Sequence, residues 1–136
     1  MIDVLTEAAR GARKRAYAPY SGFEVGAAVE TESGEVFSGS NVENASYGLT
    51  ICAERVAVAA AVAAGHRRMR RLVVVAGSSE AVAPCGACLQ VLVEFGPDMD
   101  IIGVGETGPV RWTMEELLPE PFNRAMMGGQ DEIDEH

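Results

Sequence analysis

Apolar residues recur at helical spacing from the first turn of the chain. Val4, Leu5, Ala8, Ala9 and Ala12 predict a helix that Asp3 can cap and that runs to about Ala16. Tyr17-Ala18-Pro19-Tyr20-Ser21-Gly22 breaks it with proline and glycine. Val25, Ala27 and Val29 then alternate as a strand does, and Ser33-Gly34 turns the chain into a second strand near Val36 and Phe37. Ser40 to Thr50 is polar and without a regular period. The Ala- and Val-rich run from Cys52 to Ala64 has the length of a helix, with Gly65 as its stop. Leu72 to Ala76 is a continuous apolar run, as expected of a strand covered on both faces. Pro84 suits the first turn of a helix from about Cys85 to Phe95, which Gly96-Pro97 ends. Ile101 to Val104 is another buried strand and Val110 to Trp112 a further one. Thr113-Met114-Glu115-Glu116 has the form of a capping box ahead of Leu117 and Leu118. The order α-β-β-α-β-α-β predicts an α/β fold with helices on both faces of one sheet.

Composition adds that one core is enough. The chain has 136 residues, 48% of them apolar, which supports a packed core without disulfide staples. The expected organisation is a single domain over 1–127 and an acidic, disordered tail over 128–136. MIDVLTEAAR has neither the charge pattern nor the apolar run of a signal peptide, and no stretch is long enough to span a membrane. The expectation is a soluble, cytoplasmic protein with no membrane partner.

Charge narrows the ligand. Lys+Arg 11 against Asp+Glu 20 gives a net charge of −9, and four of those acids lie in the tail. Such a chain lacks the general attraction for phosphate backbones that nucleic-acid binding needs. A small, weakly charged ligand fits better. The basic run Arg67, Arg68, Arg70 and Arg71 reads as a solvated loop between a helix and a strand.

The three cysteines carry the chemistry. An odd number of thiols makes a poor disulfide scaffold, whereas three thiols and a water match an open zinc site. Cys52-Ala53-Glu54 and Pro84-Cys85-Gly86-Ala87-Cys88 each open a predicted helix, where thiol pKa values fall. Cys85 and Cys88, three apart, share a helix face. Residues two apart on a helix point about 200° apart. Cys52 and Glu54 therefore serve one pocket only if Cys52 stands at the very start of its helix. Glu54 then lies where a carboxylate can take a proton from water without ligating the metal. His66, fourteen residues along that helix, would be ~21 Å from Cys52 at about 1.5 Å per residue. It cannot close a structural zinc site there, and His136 lies in the tail. The competing readings are a redox dithiol at Cys85 and Cys88, which leaves Cys52 and Glu54 unused, and a structural zinc, which lacks a fourth ligand.

C-x-E followed by P-C-x-x-C is the zinc deaminase signature. With AYAPYSGFEVGAA (16–28), GSNVENASYGLTICAERVAV (39–58), PCGACLQV (84–91) and EELLPEPF (115–122), the chain resembles the cytidine deaminase family. Its match is to the small, tetrameric, three-cysteine branch, and it extends to about Asn123. The resemblance implies a three-layer α/β/α fold with a mixed, about five-stranded sheet. It implies one Zn²⁺ per subunit on Cys52, Cys85 and Cys88, with Glu54 as the proton shuttle. Asn41 and Glu43 would bind the ribose hydroxyls, Phe23 would pack near the base, and Ala45 would contact substrate. Tyr47 would help close the pocket, and the Ala53 N–H would face the pyrimidine 2-oxo group. Phe122 would enter a neighbouring subunit's site in a homotetramer. From the residues alone, Asn41 and Glu43 read equally as turn-formers and Phe23 as core.

The implied reaction is hydrolysis of cytidine and 2′-deoxycytidine to uridine and 2′-deoxyuridine with release of ammonia, a pyrimidine-salvage step. Alternatives are a deaminase of another aminopyrimidine nucleoside, such as a blasticidin-type antibiotic, and a non-enzymatic zinc-binding or redox module. Three thiolates on Zn²⁺ leave a net −1, which calls for a nearby cation, and Arg55 is the candidate. Family members commonly carry Arg directly after the second cysteine of P-C-x-x-C. Here that position is Leu89, which places more of the charge balance on Arg55.

Overall fold

A computed structural model describes residues 1–128. The 129–136 part of the expected tail, His136 included, lies outside the described residues. Five strands form one mixed sheet in the order β2-β1-β3-β4-β5. They are β1 (Val25–Thr31), β2 (Val36–Ser40), β3 (Met69–Ala76), β4 (Asp100–Gly105) and β5 (Gly108–Thr113). β1 runs antiparallel to β2 and β3, β3 runs parallel to β4, and β4 and β5 form a hairpin. The parallel pair requires a crossover, which α3 (Gly86–Phe95) supplies.

Strand alternation sorts the core into two layers. Ala28, Val73, Val75 and Ile102 point to the face covered by α1 (Ile2–Arg13) through Leu5 and Ala9. Ala27, Val29, Leu72 and Ile101 point the other way, onto α2 (Ala53–Ala63) and α3 through Ala57, Val58, Ala61 and Leu92. Helices thus cover both faces, as the element order predicts. α2 approaches β2 closely because small residues face each other: a Cβ on Gly39 would stand 2.6 Å from the Ala57 nitrogen. Gly65, at φ +100°, ends α2 where a side chain would be strained.

Several boundaries differ from expectation. α1 ends at Arg13 rather than Ala16, because the Tyr17 N–H donates to Asn41 O and Tyr17 bridges Val42. A long-range pairing pulls the chain out of the helix. Asp3 lies inside the first turn and makes no side-chain cap, leaving only its charge at the positive helix end. Pro84 precedes the N-cap, Cys85, instead of occupying the first turn. β3 begins at Met69, so Arg70 and Arg71 belong to the sheet and not to a solvated loop. The buried Glu30 draws them in: its carboxylate lies 3.6 Å from Arg70 Nε and 3.4 Å from Arg71 Nη1. Arg67 donates to Val62 O at the end of α2. The capping box at Thr113 forms as predicted and starts the short α4 (Met114–Leu117). No described helix is long and apolar enough to cross a membrane.

Candidate functional site

The two cysteine segments converge at the N-terminal ends of α2 and α3. Cys52 is the N-cap of α2 and Cys85 the N-cap of α3, both with extended backbone, and Cys88 lies in the first turn of α3. The three sulfurs all lie within 4.8 Å of one another, and Cys85 Sγ is 3.5 Å from Cys88 Sγ. Tetrahedral Zn–S bonds of ~2.3 Å place sulfurs about 3.8 Å apart. All three are free thiols, so the donor set fits a zinc ion. Among the described residues, the cluster has no fourth His, Cys, Asp or Glu ligand, which leaves one position open. His66 is engaged elsewhere, paired with Glu35 and packed on Phe37.

The electrostatics of the cluster call for a cation. The Cys52 thiol is pulled down to about 5, chiefly by its hydrogen bond with Cys88 and further by Arg55 and Cys85. Cys88 is pushed strongly up by the facing Cys52 sulfur and by burial. One negative charge is tolerated there and a second is opposed, the condition that a divalent ion relieves. Arg55 Nη2 lies 3.7 Å from Cys52 Sγ. Its Nε is buried with no hydrogen-bond partner among the described residues. Leu89, at the position where an arginine would add charge, is instead buried in the core with Ala53 and Ala57.

A cavity of about 260 Å³ opens beside the sulfurs. Cys52, Ala53, Glu54 and Cys85 line one side; Phe23, Asn41 and Glu43 line another. Because Cys52 stands before the first helical residue, it and Glu54 share this pocket, as the sequence condition required. Glu54 is only 6% exposed. Burial raises its pKa to about 7, the Cys52 charge adds to the rise, and Arg55 opposes it. A carboxyl group poised near neutrality can both accept and release a proton.

The remaining predicted residues divide. Asn41 is buried, and its amide accepts from Val25 N at 2.9 Å and donates to Phe23 O at 2.8 Å. It therefore shapes the turn as well as lining the pocket. Ala45 is exposed and does not line the cavity. Tyr47, 78% exposed, stands over an adjoining cleft with Tyr20, its ring edge-on at 6.3 Å. Phe122 lines a different depression, with Val93 and Pro97, so it does not reach its own chain's pocket. Sequence reasoning missed Ser21, Val25, Thr50, Ile51, Val74, Val82 and Ala83, which also line the cavity. Only Val82 and Ala83, just before P-C-x-x-C, and Thr50 and Ile51, just before C-x-E, carried a local signal.

Comparison with known proteins agrees with this geometry. Residues 2–104 match the model of the cytidine and deoxycytidylate deaminase zinc-binding region. A cytidine deaminase from Halalkalibacterium halodurans is 46% identical over 122 residues, 88% of this chain and 92% of the relative. The crystal structure of cytidine deaminase from Burkholderia pseudomallei superposes with a TM-score of 0.86 at 46% identity, covering 90% of this chain and 99% of that one. A blasticidin-S deaminase from Bacillus cereus is further off, 32% identical over 108 residues, 74% of this chain and 77% of the relative.

Proposed function

Since the chain belongs to the cytidine and deoxycytidylate deaminase family, we propose that it hydrolyses cytidine and 2′-deoxycytidine to uridine and 2′-deoxyuridine, releasing ammonia. The observation that carries this reading is the buried Glu54 carboxyl in a cavity walled by Cys52 and Cys85, whose sulfurs converge with that of Cys88. Cys52, Cys85 and Cys88 hold the zinc, which when bound supplies a Lewis acid able to activate water at neutral pH. Glu54 takes a proton from water and delivers it to N3 of the base as C4 becomes tetrahedral. It then takes the proton of the new C4 hydroxyl and passes it to the amine, so that C4=O forms as the C4–N bond breaks and cytidine and water become uridine and ammonia. Its near-neutral pKa suits both directions. Arg55 offsets the surplus negative charge of the thiolates.

The pocket's other residues select the substrate. Phe23 packs near the base, the Ala53 N–H faces the 2-oxo group, and Asn41 and Glu43 meet the sugar hydroxyls. Tyr47 closes the approach from the neighbouring cleft, and Ala45 contacts the substrate. Phe122, exposed and turned away from its own pocket, serves a neighbouring subunit in a homotetramer with one zinc per subunit. The working setting is cytoplasmic pyrimidine salvage by a single domain over 1–127. The cavity's small volume and the chain's acidity both favour a free nucleoside over a polynucleotide. Blasticidin-type substrates are the second reading, supported by a more distant relative. Ultraviolet monitoring of cytidine, 2′-deoxycytidine and blasticidin S with the purified protein tests the assignment. Turnover of the first two is expected, and turnover of blasticidin S alone overturns it.

A further inference from the structure

The carboxylate of Glu43 is already three-quarters engaged by the chain itself. An ionised carboxylate offers about four acceptor sites and no donor. One oxygen, Oε1, accepts the backbone N–H groups of Tyr20 at 3.0 Å and Ser21 at 3.1 Å. The other, Oε2, accepts the Ser21 hydroxyl. That same Ser21 oxygen accepts the Phe23 N–H at 3.0 Å. The last contact is a local turn of the kind serine makes with the residue two ahead. The contact with Glu43 is not local, since the two residues stand 22 apart in sequence. Ser21, Phe23 and Glu43 all line the cavity beside Glu54. One acceptor position on Oε2 remains.

We infer that Ser21 is a positioning residue: its hydroxyl fixes the Glu43 carboxylate so that the remaining acceptor position of Oε2 receives a sugar hydroxyl of the nucleoside. The inference rests on the deaminase reading and adds to it a route for sugar discrimination through Ser21. An acceptor held in one orientation by three donors favours a ligand that brings a hydroxyl and gains nothing from one that lacks it. The Ser21 side chain is also the first cause of the lowered pKa of Glu43, so the same contact favours the ionised, accepting form.

The test compares kcat/KM for cytidine and 2′,3′-dideoxycytidine in the wild type, S21A, S21T, E43Q and the S21A/E43Q double variant, with thermal unfolding of each. S21A should lower the cytidine-to-dideoxycytidine ratio about tenfold, the loss falling mainly in KM. S21T, which keeps the hydroxyl, should restore the ratio, and the double variant should be no worse than E43Q alone. If S21A does not fold, Ser21→Cys, with its weaker donor, carries the same expectation. A ratio unchanged in S21A overturns the role of Ser21 while leaving the deaminase standing. Equal losses on both substrates, additive with E43Q, show a structural effect and overturn it too. A zinc-loaded wild type that turns over neither nucleoside overturns the deaminase reading and this inference together.

Discussion

Removing the Arg55 guanidinium tests whether one cation balances the sulfur cluster. Its Nη2 lies 3.7 Å from Cys52 Sγ. Two unit charges at that distance attract by about 4 kcal/mol at an effective dielectric constant near 20, and by about 1 kcal/mol in water. Arg55 is partly exposed, so solvent screening brings the expected value toward the lower figure, about 1–2 kcal/mol. That corresponds to a loss of roughly tenfold in zinc affinity for Arg55→Ala. Leu89 supplies no compensating charge, since it is buried among apolar side chains. Arg55 also helps hold the Cys52 thiol near 5, after the larger contribution of Cys88. Zinc uptake by R55A should therefore need a higher pH, because the thiols must lose their protons to bind. Competition with a chromogenic chelator across pH measures both effects. Zinc affinity and uptake pH equal to the wild type would show that Arg55 does not balance the sulfur charge.

Glu54→Gln should keep its zinc and lose about two to four decades of kcat, since the amide cannot shuttle protons; brisk turnover by that variant contradicts the role. Leu89→Ala should cost about 2–4 kcal/mol by opening a cavity between α2 and α3, read as a lower urea midpoint with unchanged slope, and a loss under about 1 kcal/mol would count against tight packing there. Glu43 is held below its ordinary value of 4.5, mainly by Ser21. Its contribution to stability is therefore present above the unfolded carboxylate value and disappears as pH falls through the lowered one. Wild type and Glu43→Gln should accordingly differ in thermal midpoint at neutral pH and converge in acid; a gap independent of pH would be inconsistent with that sign.

What the chain reveals in one dimension depends on how local each cause is. The candidate metal cluster was legible because Cys52, Cys85 and Cys88 each lie within a few residues of the start of α2 or α3. The sheet was legible because apolar runs and alternation mark β1, β3 and β4. The end of α1 was not, since Tyr17 leaves the helix to pair with Asn41 and Val42, over twenty residues away. Arg70 and Arg71 looked like loop residues because Glu30, which draws them into β3, belongs to another strand. Val25 and Val74 read as plain strand residues, and only the meeting of β1 with β3 makes them cavity walls. Ser21 read as a turn residue, which it is. Its hold on Glu43 depends on a fold-level juxtaposition that no spacing rule encodes.

Zinc quantified per chain in the wild type and in Cys52→Ala decides whether the three sulfurs share one ion. One zinc per wild-type chain is expected, with most of it lost when Cys52 is removed although Cys85 and Cys88 remain. A full complement of zinc in Cys52→Ala, or a metal-free wild type with Cys85 and Cys88 oxidised to each other, would rule out a shared three-sulfur site.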